Sequence, residues 1–553
     1  MHGAAGMART GAPGRPNAMT DLLDAEAPPT RTNGDSESGP SAPEEAVSSV
    51  ASLRYRFEYL ALTALVVLGA VLRCRGLTRG GLWTSDAWVA LSSRVGIGTA
   101  WHMWANAPGF DLLERGWLLA HPGSTWWGQL PPLVLGVAAI PAIYGLVKFF
   151  RFSPWLGLGA ALVVSVSPIC VTFSTRYKEY SADFLLVCLV LFLAERARRH
   201  PAKGEFFALG AASTVGFAIS ASLLPIIVGV WLALGVPAVL GRRVIRPMVI
   251  PMALTTIICL VITEVFYRNL SPYLHLVWGN HFFNFGSPGA FINSVSFLAV
   301  GVYSGLTGVP VGTLFGYLML FTVLSGLFAL GAVRGPDVSS PVCVVAAAAA
   351  ACAFGVIPLG TGRTDEVLYP ALLLVFAAGM REVQQWFTGR TPGGGWLTWP
   401  IRAVGGGLII GLLAIGISSG NQYQSVNVRG LAAEVHRNAQ PGDHVVVDAF
   451  LRYAWALYEE PHPHIRFGSD WMPGFTVVST QPQVFLAPSF GREGASDPVP
   501  WTRELARYNR IWFVATGVPD QSPFYVALQR AGWRSAEILH ATNCEAILLV
   551  DRH

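Results

Sequence analysis

Long apolar runs, separated by short polar stretches, follow one another along most of the chain. A helix needs about 20 residues to cross a bilayer, and eleven of the runs approach or reach that length. The pattern predicts a mainly α protein, a polytopic transmembrane helical bundle of about 11 spans. The predicted spans are 57–73, 129–149, 154–173, 181–196, 205–220, 222–240, 247–266, 312–332, 340–358, 367–385 and 400–418.

One further apolar run, 289–307, is interrupted by polar residues such as Asn293, Ser296 and Ser304. Counting it as a span would move Arg334 to the outer side of the membrane and reverse every later loop. We therefore expect an interfacial or re-entrant helix on the outer face at this position.

Charged residues are few, and most basic ones gather in alternate loops. Charged residues make up 13% of the chain, against about 25% in soluble proteins. The positive-inside rule then places the N-terminus in the cytoplasm of a multi-pass protein of the plasma or inner membrane. The net charge of +5 reflects these loops and does not indicate a nucleic-acid partner. Arg73, Arg75 and Arg79 depart from the pattern, and for them we expect contacts with lipid headgroups.

Both ends of the chain differ in composition from the apolar middle. Residues 1–56 are rich in Ala, Gly, Pro, Ser and acidic residues, which favours a disordered cytoplasmic tail. The apolar middle defines a transmembrane domain over 57–418, with a Trp-rich outer loop at 74–128. In 419–553, strand-like runs such as 444–448 and 510–515 alternate with helical patterns. We predict a small C-terminal extracytoplasmic α/β domain there.

The first candidate catalytic residue is Asp86, which lies shortly beyond the first span in Trp83-Thr84-Ser85-Asp86-Ala87-Trp88. A lone carboxylate in such a loop is usually only solvated. Here two cation-bearing segments at other span ends, 174–183 and 362–370, face the same predicted side of the membrane. Arg and Lys bind phosphate oxygens through charge-assisted hydrogen bonds, and Tyr adds a donor. A base opposite cations suits displacement of a phosphate leaving group from a sugar carbon.

The predicted phosphate-binding residues of these two segments are Arg176, Lys178, Tyr180, Arg363 and Tyr369.

Four segments carry a resemblance to a known family: Leu82–Asp86, His121–Tyr144, Ser167–Asp183 and Gly362–Pro370. In order and spacing they resemble the GT-C superfamily of polyprenyl-phosphate-sugar-dependent glycosyltransferases. They are similar to its branch of protein mannosyltransferases and aminoarabinose transferases. This resemblance implies an enzyme that moves a sugar from a polyprenyl-phosphate donor to a glycan, lipid or protein acceptor outside the membrane, with inversion.

The resemblance also implies roles for single residues. Asp86 would be the general base, Lys178 with support from Tyr180 would contact the donor phosphate, and Arg363 would be a second phosphate ligand. The family usually has an acidic residue after the Asp, where this chain has Ala87. A shift of one residue in the comparison would put Ser85 on the position of the base, so Asp111 and Glu114 are reserve candidates.

Metal binding and other classes of function stay open at this stage. His102, His121, His275 and His281 show no HExxH or i, i+4 spacing, so we predict no metal ligands. Some GT-C members use divalent cations, so the resemblance leaves a divalent cation open as a cofactor. The alternatives are a transporter or flippase of a lipid-linked saccharide, or a catalytically inactive GT-C-like binding protein.

Overall fold

The computed structural model divides the chain into two compact units, Met1–Arg56 and Phe57–His553. The structure describes residues 42–75, 77, 81–94, 107–121, 124–240, 246–268, 270–308, 314–334, 338–389, 411, 413–415, 417–418, 426–460, 464–467, 475–487, 499–517 and 522–550.

Among its described residues, the part of the chain before residue 390 consists mainly of helices joined by turns and short loops. Its helices are α1 (Ala42–Cys74), α2 (Thr84–Arg94), α3 (Pro108–Leu118), α4 (Thr125–Phe149), α5 (Pro154–Val166), α6 (Pro168–Phe173), α7 (Tyr180–Arg199), α8 (Lys203–Ile219), α9 (Leu224–Leu240), α10 (Arg246–Ile262), α11 (Leu270–Trp278), α12 (Pro288–Thr307), α13 (Leu314–Arg334), α14 (Ser339–Ala353) and α15 (Tyr369–Gly389). Short 3-10 turns cover Ala221–Leu223, Gly279–His281 and Thr364–Leu368, and a π turn covers Thr263–Tyr267.

Five helices in the described part of the chain are long and apolar enough to cross a membrane. The bounds of the helices match most of the predicted spans, and the last predicted span, 400–418, lies almost wholly outside the described residues. Pro288–Thr307 is among the five, so its length and composition fit a span as well as the interfacial helix that its polar residues predict. The five are Tyr55–Cys74, Thr125–Phe149, Ala221–Val239, Arg246–Tyr267 and Pro288–Thr307.

Two predicted boundaries need correction. Residues 42–56, predicted as part of a disordered tail, begin helix α1. The predicted span 154–173 is broken in two at Ser167, whose extended backbone (ψ 121°) separates α5 from α6. Pro168 causes the break because it lacks an N–H and keeps the residue before it out of the helical region.

The strands of the C-terminal part are β1 (His444–Val447), β2 (His464–Phe467), β3 (Phe475–Val478), β4 (Val484–Leu486), β5 (Arg510–Thr516), β6 (Arg534–Ala541) and β7 (Cys544–Val550). Five of them form a mixed sheet in the order β4-β1-β5-β7-β6. Strand β1 pairs in parallel with β4 and β5, whereas β7 is antiparallel to β5 and β6. The helices are α16 (Val428–Asn438), α17 (Arg452–Glu459), α18 (Val499–Leu505) and α19 (Pro523–Arg530).

The C-terminal part packs directly on helix α2. The backbone of Gly81 exchanges two hydrogen bonds with Val426, at 3.0 and 3.2 Å. The Leu82 N–H donates to the hydroxyl of Tyr458, on α17, at 2.9 Å. A Cβ at position 81 would lie 2.5 Å from the Val426 carbonyl oxygen, so the close approach requires glycine. The start of α2, which carries Asp86, is therefore fixed by the C-terminal part of the chain.

Candidate active site

Asp86 lies in the first turn of α2 with its side chain fully buried. Its backbone N–H and that of Ala87 both donate to the Trp83 carbonyl at 2.9 Å, which begins the helix. A carboxylate at this end is favoured by the helix dipole. Arg176 donates from Nε to the Asp86 carboxylate at 2.7 Å and from Nη2 to the Ser85 hydroxyl at 3.0 Å. The ion pair orients Asp86 from outside its own helix.

Arg73 holds the segment that brings Arg176 to Asp86. The break at Ser167 leaves carbonyls at the end of α5 without helical partners, and Arg73 donates to those of Val164 and Ser165 at 3.0 and 3.2 Å. Its Nε donates to the Ser174 hydroxyl at 2.9 Å. The Arg73 side chain is fully buried, so the predicted headgroup contact is wrong. The reason is that the helix break supplies acceptors inside the protein.

Lys178 lies in the same segment, two residues after Arg176. Its side chain is buried, and its ammonium nitrogen lies 5.1 Å from the centroid of the Trp88 ring. Burial lowers the pKa of Lys178, and the neighbouring Glu179 opposes that shift. The positive charge of Arg363 lowers the same pKa further.

Lys178, Tyr180 and Arg363 line one cavity of about 430 Å³. Arg363 donates from Nη2 to the Tyr180 hydroxyl at 3.2 Å, and its guanidinium lies 5.5 Å from the centre of the Trp278 ring. The wall also includes Ser85, the neighbour of Asp86. Two cations and a phenol thus converge on one space beside a buried carboxylate.

The loop that carries Arg363 is built around Asp365. Gly360 and Gly362 both have φ of +70°, a conformation that favours glycine. Their N–H groups donate to the two oxygens of the Asp365 carboxylate at 2.8 Å each. Burial raises the pKa of Asp365 to about 6, although the backbone donors act in the opposite direction. The tight turn fixes the direction in which Arg363 leaves the backbone.

The remaining predicted residues are not brought to this cavity wall. Asp111 is buried and accepts a hydrogen bond from Ser92 at 3.1 Å. Glu114 is buried one turn further on, and burial followed by the charge of Asp111 raises its pKa to about 8. Tyr369 is fully buried with its hydroxyl against Gly305. The substrate-binding role of Tyr369 and the reserve role of Asp111 stay predictions.

Sequence reasoning missed Phe450, which lines the cavity from the C-terminal part of the chain. It follows strand β1 and is separated from Arg363 by 87 positions along the sequence, so no local pattern indicates it. No group of three or more His, Cys, Asp or Glu suited to a metal ion occurs among the described residues. His281 contacts the Leu359 carbonyl at 3.0 Å, and His102 lies outside the described residues.

An apolar cavity of about 740 Å³ adjoins the polar one. It lies between α9 and α10 and is lined mostly by aliphatic side chains of those helices. Leu224 and Thr263 line both cavities. A ligand with a charged end and a long apolar end could therefore occupy the two spaces together.

A third cavity, of about 240 Å³, lies on another face of α2. Ala90 and Ser93 line it, and these follow Asp86 at i+4 and i+7, so all three residues share one helix face. Tyr177 also lines this cavity, whereas its neighbour Lys178 lines the large one. The consecutive residues Tyr177 and Lys178 therefore border different cavities.

The helices and the site together define a multi-pass membrane protein with a cation-lined cavity next to an apolar one. Residues 108–277 match the sequence model of a family described as dolichyl-phosphate-mannose-protein mannosyltransferase. This match confirms the resemblance to membrane glycosyltransferases for the segment from α3 to α11, which includes Lys178. No curated protein matches the chain.

The chain also has similarity to solved structures of other proteins. It matches ArnT from Cupriavidus metallidurans in the apo state with 14% identity and a TM-score of 0.49, covering 90% of this chain and 98% of that chain. It matches the same protein bound to undecaprenyl phosphate with 16% identity and a TM-score of 0.46, covering 89% and 97%. The Saccharomyces cerevisiae protein O-mannosyltransferase Pmt1-Pmt2 complex bound to the sugar donor matches with 15% identity and a TM-score of 0.29, covering 45% and 36%.

Proposed function

We propose that this protein is a membrane glycosyltransferase. It transfers a sugar from a polyprenyl-phosphate donor to an acceptor hydroxyl or amine on the outer side of the membrane, with inversion at the sugar carbon. The observation that carries the proposal is the convergence of Lys178, Tyr180 and Arg363 on one cavity. The family match over 108–277, whose description names a dolichyl-phosphate sugar, supports the donor class.

The cationic cavity suits the phosphate of the donor. When the bond from the sugar carbon to the phosphate oxygen breaks, negative charge grows on the phosphate. Lys178 and Arg363 can stabilise that charge, and the hydroxyl of Tyr180 supplies a further donor. Because this site is largely shielded from water, such interactions are stronger than at an exposed surface.

The apolar cavity between α9 and α10 suits the isoprenoid tail. Leu224 and Thr263 join it to the phosphate site, so head and tail of one lipid can occupy both spaces. Because lipid is also apolar, this cavity stabilises the bound tail only to the extent that it packs more closely around the tail than lipid does. The charged head supplies the specificity.

Asp86 suits the general base. The acceptor oxygen or nitrogen attacks the sugar carbon, its proton passes to the Asp86 carboxylate, and the phosphate leaves from the opposite side of the carbon. The third cavity, on the Asp86 face of α2, suits the acceptor because Tyr177 borders it while the next residue, Lys178, borders the phosphate site. Arg176 orients the base, and Ala87 leaves Asp86 without an adjacent acid.

The test is sugar transfer in membranes supplied with a panel of labelled polyprenyl-phosphate sugars. We expect wild-type membranes to use at least one donor and Asp86→Asn to lose transfer by at least about 100-fold, which corresponds to the usual contribution of a general base. Asp443→Asn is the matched control, because Asp443 forms a buried ion pair with Arg510 at 2.9 Å that lies far along the chain from the site.

The outcomes separate the alternatives. Full activity of Asp86→Asn, with an unchanged melting temperature, would assign the base to another residue. Transport of a labelled donor across the membrane without any transfer product would instead identify a flippase. Equal losses in Asp86→Asn and Asp443→Asn would point to impaired folding, which the melting temperature in detergent measures directly.

A further inference from the structure

We propose that the soluble C-terminal part positions Lys178 in the active site through two stacked aromatic rings, Phe475 on Trp88. Phe475 is a positioning residue here, since it touches Trp88 and not the cavity. The proposal rests on the proposed function only where it connects Lys178 with donor binding.

The first contact is between Lys178 and Trp88. The ammonium nitrogen lies 5.1 Å from the centroid of the indole ring, and both residues line the large cavity. The face of an indole ring attracts a cation, and the attraction grows as water is excluded. The ring therefore determines where the buried Lys178 side chain can place its charge.

The second contact is between Trp88 and Phe475. Their ring centroids are 5.8 Å apart with an interplanar angle of 12°, and both side chains are fully buried. Within the part of the chain that the structure describes, the indole N–H of Trp88 has no hydrogen-bond acceptor. Ring packing, rather than a hydrogen bond, therefore holds Trp88 in place.

Phe475 is itself anchored in the soluble part. It begins strand β3, and its ring meets that of Tyr453 edge to face at a centroid distance of 5.9 Å. The Tyr453 hydroxyl donates to the Phe475 carbonyl at 3.0 Å. Tyr453 lies on α17, the helix that also carries Tyr458, which binds the start of α2. Helix α17 thus contacts Phe475 through Tyr453, and it contacts Leu82, just before α2, through Tyr458.

The stack joins three distant parts of the sequence: α2, the segment before α7, and strand β3. Phe450, from the same C-terminal part, completes the cavity wall. The soluble part therefore contributes to the site twice, once as a wall and once as the support behind Lys178. It acts as part of the enzyme rather than as an appended domain.

The first experiment compares Phe475→Leu with Phe513→Leu. Phe513 is the matched control because it is another fully buried strand residue of the C-terminal part, in the five-stranded sheet. It stacks on Phe524 at 6.3 Å and 9° rather than on Trp88. We expect Phe475→Leu to raise the KM for the polyprenyl-phosphate donor by about 3- to 30-fold, the range of a buried cation–π contact. The KM for the acceptor should stay within about twofold. Phe513→Leu should change neither KM.

Further variants test whether the effect passes through Lys178. In a Lys178→Ala background, Phe475→Leu should leave the donor KM unchanged, since the positioned group is absent. Trp88→Phe keeps an aromatic face and should retain a lower donor KM than Trp88→Leu. An additive effect of Phe475→Leu and Lys178→Ala, or equal donor KM values for the two Trp88 variants, would overturn the proposal.

The second experiment does not depend on activity. The purified full chain is treated with an amine-reactive reagent, and modification of Lys178 is followed by peptide mass spectrometry. We expect Phe475→Leu to speed modification of Lys178 at least threefold over wild type and over Phe513→Leu. Equal rates in all three proteins would overturn the positioning role. If these rates differ as expected but Lys178→Ala leaves donor use intact, the phosphate role under the proposed function fails and the positioning role stands.

Discussion

The ion pair between Asp86 and Arg176 shows how a buried contact can set the direction of a side chain. The two residues are 90 positions apart, and the Asp86 side chain is fully buried while that of Arg176 is 12% exposed. Removing one partner of such a pair leaves the other charge buried, at a cost of about 3–5 kcal/mol. Asp86→Asn keeps the shape and the hydrogen-bond acceptor, so it is a better test than Asp86→Ala.

The sequence could identify the chemical character of these residues but not their pairing. The segments around Asp86, Lys178 and Arg363 were recognisable because each combines charge with aromatic residues at a span end. Arg176 was predicted to bind substrate for the same reason. The sequence could not show that its guanidinium contacts Asp86 and Ser85, because that choice depends on how α2 packs against the segment after α6.

Glu114 provides a prediction about pH. Its pKa is raised to about 8 from an ordinary value of 4.5, so the folded protein keeps the proton over a range in which the unfolded chain loses it. This contribution to stability is fully present below about pH 4.5 and is lost as the pH rises through the folded value. We expect Glu114→Gln to melt at a higher temperature than wild type at pH 8, with a smaller difference at pH 5.

Differential scanning fluorimetry in detergent, over pH 5 to 8, measures this effect. Glu264→Gln is a suitable control because the Glu264 side chain is 77% exposed. If Glu114→Gln lost sugar transfer while its melting temperature followed wild type at every pH, Glu114 would replace Asp86 as the base and the pH argument would fail.

At the scale of elements, the break between α5 and α6 decides where the site lies. The sequence predicts one apolar span over 154–173, whereas the structure has two helices there. Pro168, which causes the break, lies within this segment. Proline inside an apolar run can also be tolerated, as at Pro131, Pro132 and Pro141 of α4. What the sequence could not show is the partner at the break, since Arg73 reaches it from the end of α1.

Arg73→Leu should therefore destabilise the protein and weaken the site together. It leaves the carbonyls of Val164 and Ser165 and the hydroxyl of Ser174 without the hydrogen bonds that they receive from Arg73. We expect a loss of about 1.5–3 kcal/mol in stability, the range for a hydrogen bond to a charged group, and reduced transfer in the folded fraction. Arg75→Leu, at an exposed position two residues on, is the control. Unchanged melting of Arg73→Leu would contradict this account.

At the scale of the whole molecule, the apolar helices and the C-terminal part both line one site. The sequence predicted both from composition, because apolar runs and strand–helix alternation are local signals. The contacts between them depend on Gly81, which lies more than 300 positions before its partner Val426 and before Tyr458, and no recognisable pattern marks these residues. Phe450 and Phe475 escaped sequence reasoning for the same reason.

Gly81→Ala should loosen the connection between these two parts. An added Cβ would lie 2.5 Å from the Val426 carbonyl oxygen and 3.0 Å from the Tyr458 ring. We expect a loss of about 1–3 kcal/mol in stability, as for other overpacked positions, faster proteolytic release of the C-terminal part, and lower transfer. Gly116→Ala has no atom within 4 Å of the added Cβ and is the control. Equal proteolysis of the two variants would show that this junction does not hold the parts together.

The shared wall of the polar and apolar cavities, formed by Leu224 and Thr263, has a kinetic consequence. On the proposed function, the donor reaches the enzyme by diffusing sideways within one leaflet, and the spent carrier returns to that leaflet. The rate then follows the number of donor molecules per unit area of bilayer. Suppose that inert phospholipid is added while the bulk concentration of the donor is kept fixed. The reaction should then slow as much as it does when the amount of donor is lowered by the same factor.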